Sequence, residues 1–329
     1  MKMTYDRSNL AIIIPAYKAT FLRAALDSIV AQTCQDFTLY IGDDCSPHQL
    51  GAIVDEYRDK INLIYQRFET NLGGKNLVAQ WERCIAMSQD EPYIWLFSDD
   101  DVLESECVEA FLSLPKEKQD NYVVHFNIHQ IDEKGKILKT PVKYPERMTA
   151  KEYLDAKLFQ KGIISYVVEF VFPRWIYEKT GGFQNYDLAW GSDFITWLKF
   201  AEACKGIYTI NNNNAHVRWR SSSENISPDK SRDTQIRKIN SQIKVAQYIQ
   251  EYLQRNDYKH SFRYVKFVFG DVQRSLNSFT CRDIKVLCQE FRKDIGWPIL
   301  TALAEMILIF QKNSKKVKDY DNRLYNWGL

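Results

Sequence analysis

The chain lacks the features that mark several classes of protein. Its 44 basic and 42 acidic residues leave a formal net charge of +2, so the composition gives no reason to expect nucleic acid as a partner. The first ten residues are polar and contain no apolar signal region. The longest apolar stretch near the C-terminus, 299–310, is interrupted by Glu305 and is too short to cross a bilayer.

The chain also has no CxxC pair, and its seven cysteines are an odd number. Several of them fall in apolar helical patterns, where a thiol behaves as a small hydrophobe. This usage favours a reduced compartment and neither a disulfide framework nor a zinc site. The 329 residues are 45% hydrophobic, which is enough for one large domain or two modest ones.

The first hundred residues alternate strand and helix patterns. Apolar runs predict four strands, and apolar residues at helical spacing predict a helix between each pair. This β-α order predicts an α/β fold with a mostly parallel central sheet and right-handed crossovers. The predicted strands are 10–14, 37–41, 61–65 and 93–97, and the predicted helices are 21–30, 50–57 and 77–85.

The pattern of predicted strands and helices changes after the first hundred residues. Residues 121–131 alternate as one strand, 149–159 favour a helix, and 166–172 favour another strand. From about Ser231 the chain is mainly helical and rich in lysine, arginine and aromatic residues. We therefore expect a catalytic α/β domain at 1–230 and a C-terminal helical extension at 231–329.

Polar clusters follow three of the predicted strands, and in a parallel sheet such strand ends share one edge, where ligands bind. An aspartate that ends a strand can cap the next helix, but three in a row exceed that need and favour a divalent cation bound to a diphosphate. The clusters are Pro15-Ala16-Tyr17, Asp43-Asp44 and Asp99-Asp100-Asp101.

Four segments, in this order, resemble the family 2 glycosyltransferases, which are inverting enzymes with the GT-A fold. The resemblance covers about 10–227 and leaves the helical tail outside. It implies a sugar transfer from a nucleotide diphosphate sugar to a hydroxyl group. The segments are IIIPAYKATFLRAALDSIVAQTCQDFTLYIGDDCSP, NLGGKNLVAQWERCIAMSQDEPYIWLFSDDD, FPRWIYEKTGGF and GSDFITW.

The resemblance implies a donor pocket around the first strand ends. Pro15, Ala16 and Tyr17 would line the base and ribose. Asp44 would accept a hydrogen bond from a pyrimidine imide, which favours a UDP-linked sugar; a plain turn is the alternative for this residue. Asn71 and Gly73 would edge the pocket, or they form an ordinary helix start.

The resemblance also implies a cation, Mn²⁺ or Mg²⁺. Asp100 matches the principal metal ligand, and Asp101 is a further ligand or a contact to the sugar. Asp99 would contact the ribose. Ser98 replaces the first acid of the usual Asp-x-Asp pattern.

Asp193 matches the family's catalytic base, which removes the proton of the acceptor hydroxyl. An acid at a helix N-terminus is also favourable for the helix dipole alone. Trp190 would stack on an acceptor sugar or pack in the core. Arg218 and Arg220 share one face of a strand, so both point toward the diphosphate or both toward solvent. The histidines at 48, 125, 129 and 260 are expected to belong to no metal-ligand group.

The C-terminal tail admits two interpretations. Its aromatic residues and the basic run KNSKKVK fit an anionic membrane surface, and an ordinary helical cap on the catalytic domain is the alternative. Both interpretations of the tail fit a cytoplasmic enzyme that works at the inner face of the membrane. The acceptor would be a glycan or lipid-linked oligosaccharide in surface polysaccharide biosynthesis.

Two other function classes have sequence features that can be compared with this chain. A nucleotidyltransferase would need a glycine-rich, basic loop after the first strand, and PAYKATF is not one. A non-catalytic sugar-binding or scaffold protein would be favoured by loss of the acid at position 193, where Asp193 is present.

Overall fold

A computed structural model describes residues 8–159, 163–225, 229–258 and 263–314. The chain divides into two compact units. The first comprises 1–185 and 192–223, and the second comprises 186–191 and 224–329. The short segment 186–191 therefore belongs with the C-terminal helices.

The first unit consists of strands and helices that alternate through its N-terminal half. Its strands are β1 (Leu10–Ala16), β2 (Phe37–Asp43), β3 (Leu63–Arg67), β4 (Tyr93–Leu96), β5 (Val102–Leu103), β6 (Val123–Phe126), β7 (Ile128–Ile131), β8 (Ile137–Lys139), β9 (Arg147–Met148), β10 (Phe170–Pro173), β11 (Ile207–Ile210) and β12 (Val217–Arg220). Its helices are α1 (Leu22–Val30), α2 (Leu50–Asp55), α3 (Leu77–Ile85), α4 (Cys107–Leu112), α5 (Lys116–Asn121), α6 (Ala150–Leu158), α7 (Arg174–Thr180) and α8 (Ser192–Ala203).

The central sheet has the order β3-β2-β1-β4-β10-β6-β11-β9. The predicted parallel arrangement of the first four strands is confirmed. Strand β10 then runs antiparallel to both of its neighbours. Strand β1 is an apolar run with no exposed side chain from Leu10 to Ile14, as expected of a strand covered on both faces.

The register of these strands brings their ends together. Ala16 pairs with Asp43 on β2, and Ile13 pairs with Leu96 on β4. Asp99 therefore follows β4 at the level of Ala16. The three predicted polar clusters share the carboxyl edge of the sheet.

Two predicted strands differ in the structure. The segment 121–131 breaks at Asn127, whose carbonyl accepts a hydrogen bond from the Val217 amide. Strand β6 stays in the central sheet, whereas β7 joins a second sheet of order β5-β12-β7-β8. Strand β10 begins only at Phe170, because the Glu169 carboxylate accepts a bond from the Tyr166 amide and holds that segment as a loop.

The second unit is helical. It contains α9 (Arg232–Arg255), α10 (Arg263–Arg274), α11 (Cys281–Asp294) and α12 (Pro298–Asn313), with 3-10 turns at Asp187–Ala189 and Leu276–Ser278. Thr280 and Asp283 form a capping box at the start of α11. Among the residues described, no helix is long and apolar enough to span a bilayer.

Gly42 allows helix α3 to pack closely against the end of β2. A Cβ atom at this position would lie 2.3 Å from the Cys84 sulfur and 2.9 Å from the Phe68 ring. We expect Gly42→Ala to lower the free energy of unfolding by about 1–3 kcal/mol, because the helix must move outward. Urea denaturation measures this loss.

Gly51→Ala is the matched control. Gly51 lies inside α2, and an added Cβ atom there meets only the Tyr65 side chain, at 3.4 Å or more. Alanine is the better helix former, so this variant should be neutral or more stable by up to about 1 kcal/mol. Equal effects of the two substitutions would contradict the packing argument.

Candidate active site

The loops that follow β1, β2 and β4 are tied to one another by hydrogen bonds. The Asp99 carboxylate accepts bonds from the backbone amides of Tyr17, at 2.8 Å, and Lys18, at 2.7 Å. The Ser46 hydroxyl donates to the Tyr17 carbonyl at 2.6 Å, and the Asp44 amide donates to the Ala16 carbonyl at 2.9 Å. The three predicted clusters thus form one connected site.

Lys18 is the side-chain cation of the aspartate cluster. Its ammonium group donates a hydrogen bond to Asp100 and lies 3.5 Å from Asp99. The Ser98 hydroxyl donates to the other oxygen of Asp100. Ser98, which stands where the family has an acid, therefore supports the Asp100 carboxylate as a hydrogen-bond donor.

Burial of the cluster makes its negative charge costly. Burial raises the pKa of Asp99 to about 6, even though Lys18 lowers that pKa. Burial and the neighbouring charge of Asp100 raise the pKa of Asp101 well above its usual value. One lysine thus leaves the three aspartates under-compensated, which is the electrostatic environment that a divalent cation stabilises.

Arg220 holds the cluster through both its backbone and its side chain. Its amide donates to the Asp101 carboxylate at 2.7 Å. Its buried guanidinium donates to the Asp100 carbonyl at 2.7 Å and lies over the Phe21 ring. Arg218 is more exposed and pairs with Glu104 at 2.9 Å. A role of either arginine in diphosphate binding stays a prediction.

The two neighbouring acids after β2 have different roles. Asp43 is fully buried and accepts hydrogen bonds from the Ser46 amide, the Tyr65 hydroxyl and Arg67, at 2.8, 2.6 and 2.8 Å. Its partners all come from the protein around it. Asp43 therefore supports the loop, as an acid in a turn does.

Asp44 anchors the glycine-containing loop before α3. Its oxygens accept bonds from the amides of Leu72 and Gly73, each at 2.7 Å, and from Arg83 at 2.6 Å. A Cβ atom on Gly73 would lie 2.7 Å from the Asp44 oxygen, so only glycine permits this approach. A carboxylate has about four acceptor positions, and these three bonds occupy most of them.

The other predicted donor residues surround this acid. The Tyr17 side chain is 43% exposed, which leaves a ring surface available for stacking. Ala16 is fully buried, so its contribution here is its carbonyl group. Pro15 is partly buried, and the Asn71 side chain accepts a bond from the Gly74 amide at 2.8 Å.

Asp193 lies in the first turn of α8, beside a second polar cluster. Burial raises its pKa, while the charge of Lys157 lowers that pKa. The Lys157 ammonium and the Tyr153 hydroxyl donate to the Ser165 hydroxyl at 2.9 and 3.1 Å. An aspartate whose pKa is raised above its usual value is better suited to accept a proton.

Glu169 lies between the two acidic regions. Its carboxyl is fully buried, and one of its oxygens has no hydrogen-bond partner. Burial raises its pKa well above the usual value, and the charges of Asp193 and Asp101 both act in the same direction. Both aspartates are therefore within electrostatic reach of one buried side chain.

The structure groups two histidines that are far apart in sequence. Ligand atoms of Glu104, His129 and His216 lie within 4.8 Å of one another. The His216 ring contacts Glu104 at 3.0 Å, and the other Glu104 oxygen is paired with Arg218. No spacing in the sequence indicated this group, and its carboxylate already has internal partners.

Trp190 belongs to the second unit. The Lys238 ammonium lies 4.5 Å from the centroid of its ring. This cation–π contact occupies part of the ring surface. Stacking of Trp190 on an acceptor sugar stays a prediction.

Three charged residues of the site were missed by the sequence argument. Lys18 directly follows the Pro-Ala-Tyr cluster, and Arg83 lies in the Trp-x-Arg-Cys pattern, so both were visible but had no assigned role. Lys157 lies 36 positions before Asp193 in the sequence. Only the fold brings the two close enough for the lysine charge to lower the pKa of Asp193.

Arg83 compensates the buried charge of Asp44. We expect Arg83→Met to lower the free energy of unfolding by about 1–3 kcal/mol, because a buried carboxylate loses its cation. Arg58→Met is the control, since its pair with Asp55 is exposed and should be worth less than about 0.5 kcal/mol. Urea denaturation compares the two, and equal losses would contradict this role of Arg83.

Comparisons with known proteins fit this arrangement. The protein named Uncharacterized glycosyltransferase RP339, from Rickettsia prowazekii, is 27% identical over 207 residues. The match covers 61% of this chain and 61% of that protein, so the chain spans about three fifths of the relative's length. Poly(ribitol-phosphate) beta-N-acetylglucosaminyltransferase TarS of Staphylococcus aureus is 33% identical over 96 residues, which are 28% of this chain and 16% of TarS.

Solved structures show the fold. The crystal structure of S. aureus TarS 1-349 in complex with UDP-GlcNAc aligns with a TM-score of 0.56 at 14% identity, over 92% of this chain and 90% of that chain. The expected GT-A fold is confirmed. The sequence model described as Glycosyl transferase family 2 matches residues 11–179, more than half of the 329 residues. The chain therefore belongs to glycosyl transferase family 2.

Proposed function

We propose that the protein is an inverting glycosyltransferase that moves a sugar from a nucleotide diphosphate sugar to a hydroxyl group. One observation carries this proposal: the acids at the ends of β2 and β4 meet at one sheet edge, where hydrogen bonds tie their loops to the loop after β1. Family membership supports the reaction class. The division at 1–230 and 231–329 into a catalytic domain and a helical extension belongs to the same proposal.

The donor that fits best is UDP-linked. Asp44 retains an acceptor position for the imide N–H of a pyrimidine such as uracil, which cytosine lacks. Tyr17 supplies an exposed ring beside it. The TarS structure contains UDP-GlcNAc, which supports the same nucleotide here without naming the sugar.

Asp100 and Asp101 are the residues that would hold a divalent cation, Mn²⁺ or Mg²⁺. Their carboxylates are hard oxygen ligands, are nearly fully buried, and have one lysine beside them. This donor set fits a cation that keeps its remaining positions for phosphate oxygens and water. When bound, such a cation neutralises charge on the departing diphosphate.

Asp193 is the proposed base. It takes the proton of the acceptor hydroxyl as that oxygen forms its bond to the anomeric carbon. The bond from the anomeric carbon to the diphosphate oxygen breaks on the opposite face, so the nucleoside diphosphate leaves and the anomeric centre inverts. Lys157 tunes the base, because its charge keeps the pKa of Asp193 from rising further.

The acceptor is proposed to be a glycan or a lipid-linked oligosaccharide in the biosynthesis of a surface polysaccharide, with Trp190 as a stacking surface. TarS, by its name, transfers N-acetylglucosamine to poly(ribitol-phosphate), which is one such polymer. We propose that the protein works in the cytoplasm, at the inner face of the membrane. A catalytically inactive scaffold is the second candidate, favoured only if Asp193 proves dispensable.

The donor class is tested by titrating the purified protein with UDP-, dTDP-, GDP- and CDP-sugars, with Mn²⁺ or with a chelator. We expect binding of the UDP-sugar in the presence of Mn²⁺, and a loss of about tenfold or more in Asp100→Ala, because one cation ligand is removed. Calorimetry measures the affinities.

Asp55→Ala is the control for this titration, because Asp55 is an exposed acid on α2. It should bind the UDP-sugar as tightly as the wild type. Absence of binding to every sugar nucleotide with Mn²⁺ present would refute the donor assignment.

The base is tested by Asp193→Asn and by Lys157→Met. We expect Asp193→Asn to lower kcat roughly a hundredfold to ten-thousandfold while donor binding is retained. In the wild type the rate should fall as the pH drops through the pKa of Asp193, which lies above the usual value near 4. Lys157→Met removes a charge that lowers this pKa, so the acid limb should move to higher pH.

Lys151→Met is the control for the pH profile. Lys151 is on the same helix, α6, and pairs with Asp155 at 2.6 Å. Its removal should leave the acid limb in place. A Lys157→Met profile that overlays the wild type would show that Lys157 does not tune the base.

A further inference from the structure

Helix α12 exposes an unbroken apolar face. Of the thirteen large hydrophobic side chains that are exposed in the described part of the chain, five lie on this helix. Every exposed residue from Pro298 to Phe310 is apolar. The five side chains are 46% to 78% exposed: Ile299, Leu303, Met306, Ile307 and Phe310.

The spacing of these residues places them in one stripe. Positions 299, 303, 306, 307 and 310 follow the three- and four-residue steps of one helix face. A 16-residue helix is about 24 Å long, so the stripe extends over most of that length. A contiguous apolar surface of this kind on a soluble domain indicates an interaction site.

Helix α11 lies beside α12 and runs antiparallel to it. Cys281, at the start of α11, contacts Asn313 at the end of α12, and Arg292 pairs with Glu305 at 3.3 Å. Both helices bury the opposite face, through Phe291 on α11 and Leu308 on α12. Their exposed faces therefore form one continuous outer surface.

The exposed face of α11 carries more basic than acidic side chains. Arg282, Lys285 and Lys293 are exposed at helical spacing. Lys293 lies 3.9 Å from Glu290, whose side chain is 47% exposed, and Asp294 is an exposed acid at the end of the helix. After Ser314 the sequence adds lysines at positions 315, 316 and 318, which lie outside the described residues.

The charge of the whole second unit has the same sign. It has 19 basic and 13 acidic residues, a formal charge of +6. The chain as a whole carries +2, so the first unit carries −4. The positive charge is concentrated in the unit that also carries the apolar stripe.

We propose that the exposed faces of α11 and α12 bind the surface of an anionic lipid bilayer. The apolar side chains of α12 enter the boundary between headgroups and acyl chains, and the basic side chains of α11 meet the lipid phosphates. The apolar stripe favours a bilayer over a polyanion, because only the bilayer has an apolar interior that can bury these side chains. The concentrated positive charge explains why a bilayer fits better than a second copy of the same face, because like charges would then oppose each other.

The test is flotation of the purified full-length protein with lipid vesicles, without any sugar nucleotide. One vesicle contains only phosphatidylcholine, and the other mixes phosphatidylcholine with phosphatidylglycerol. We expect binding to the anionic vesicle, weakened by salt. Ile299→Gln combined with Phe310→Gln should lower vesicle affinity by about tenfold or more, and Arg282→Gln, Lys285→Gln and Lys293→Gln combined should do the same at low salt.

Matched controls come from exposed residues of the first unit. Leu138→Gln combined with Val142→Gln removes two exposed apolar side chains, and Lys134→Gln, Lys136→Gln and Lys139→Gln combined removes three exposed charges. Neither should change vesicle binding. Circular dichroism confirms that each variant is folded.

Three results would overturn the proposal. The first is no binding to anionic vesicles, and the second is an equal loss in the control variants. The third is a dimer in lipid-free sedimentation that Ile299→Gln combined with Phe310→Gln converts to a monomer, because the face would then belong to a second copy. Sugar-nucleotide binding is measured separately, so failure here removes the proposed place at the membrane and leaves the proposed sugar transfer standing.

Discussion

The site depends on one electrostatic constraint. Three consecutive aspartates are buried where a strand ends, and burying their negative charge costs free energy. Two backbone amides fix Asp99, one lysine pairs with Asp100, and the Arg220 amide holds Asp101. These contacts position the carboxylates but leave their charge under-compensated, as the raised pKa values of Asp99 and Asp101 indicate. Such a cluster favours a ligand that supplies positive charge. The loops after β1 and β2 are attached to the same cluster, so binding there would order all three.

The protein uses its other acids in physically different ways. Asp43 and Asp44 each accept three hydrogen bonds from protein groups, but Asp43 holds the loop that follows β2 and Asp44 holds the loop before α3. Asp193 is set apart from both, because burial raises its pKa and Lys157 limits the rise. The surroundings of each acid thus decide which contacts it makes, and the proposed roles in base recognition and proton transfer rest on those differences.

Periodicity was sufficient for the first half of the fold, because buried parallel strands are long apolar runs separated by clear helical patterns. It also located the aspartate clusters, since strand ends share an edge. It failed at 121–131, where the alternation continues through Asn127 although the chain changes sheet there. The pairing of Lys18 with Asp100 and the grouping of His129 with His216 depend on tertiary distances that sequence spacing does not encode. The exposed face of α12 was likewise hidden, because an apolar helix looks the same in sequence whether its face is covered or not.

The most direct test of the account is the position of the cation. Crystals grown with UDP and Mn²⁺ would give an anomalous scattering peak for manganese. The account predicts that peak beside the Asp100 and Asp101 carboxylates, in contact with the diphosphate. A peak at Glu104, His129 and His216 instead, or UDP bound with no manganese beside Asp100, would contradict it.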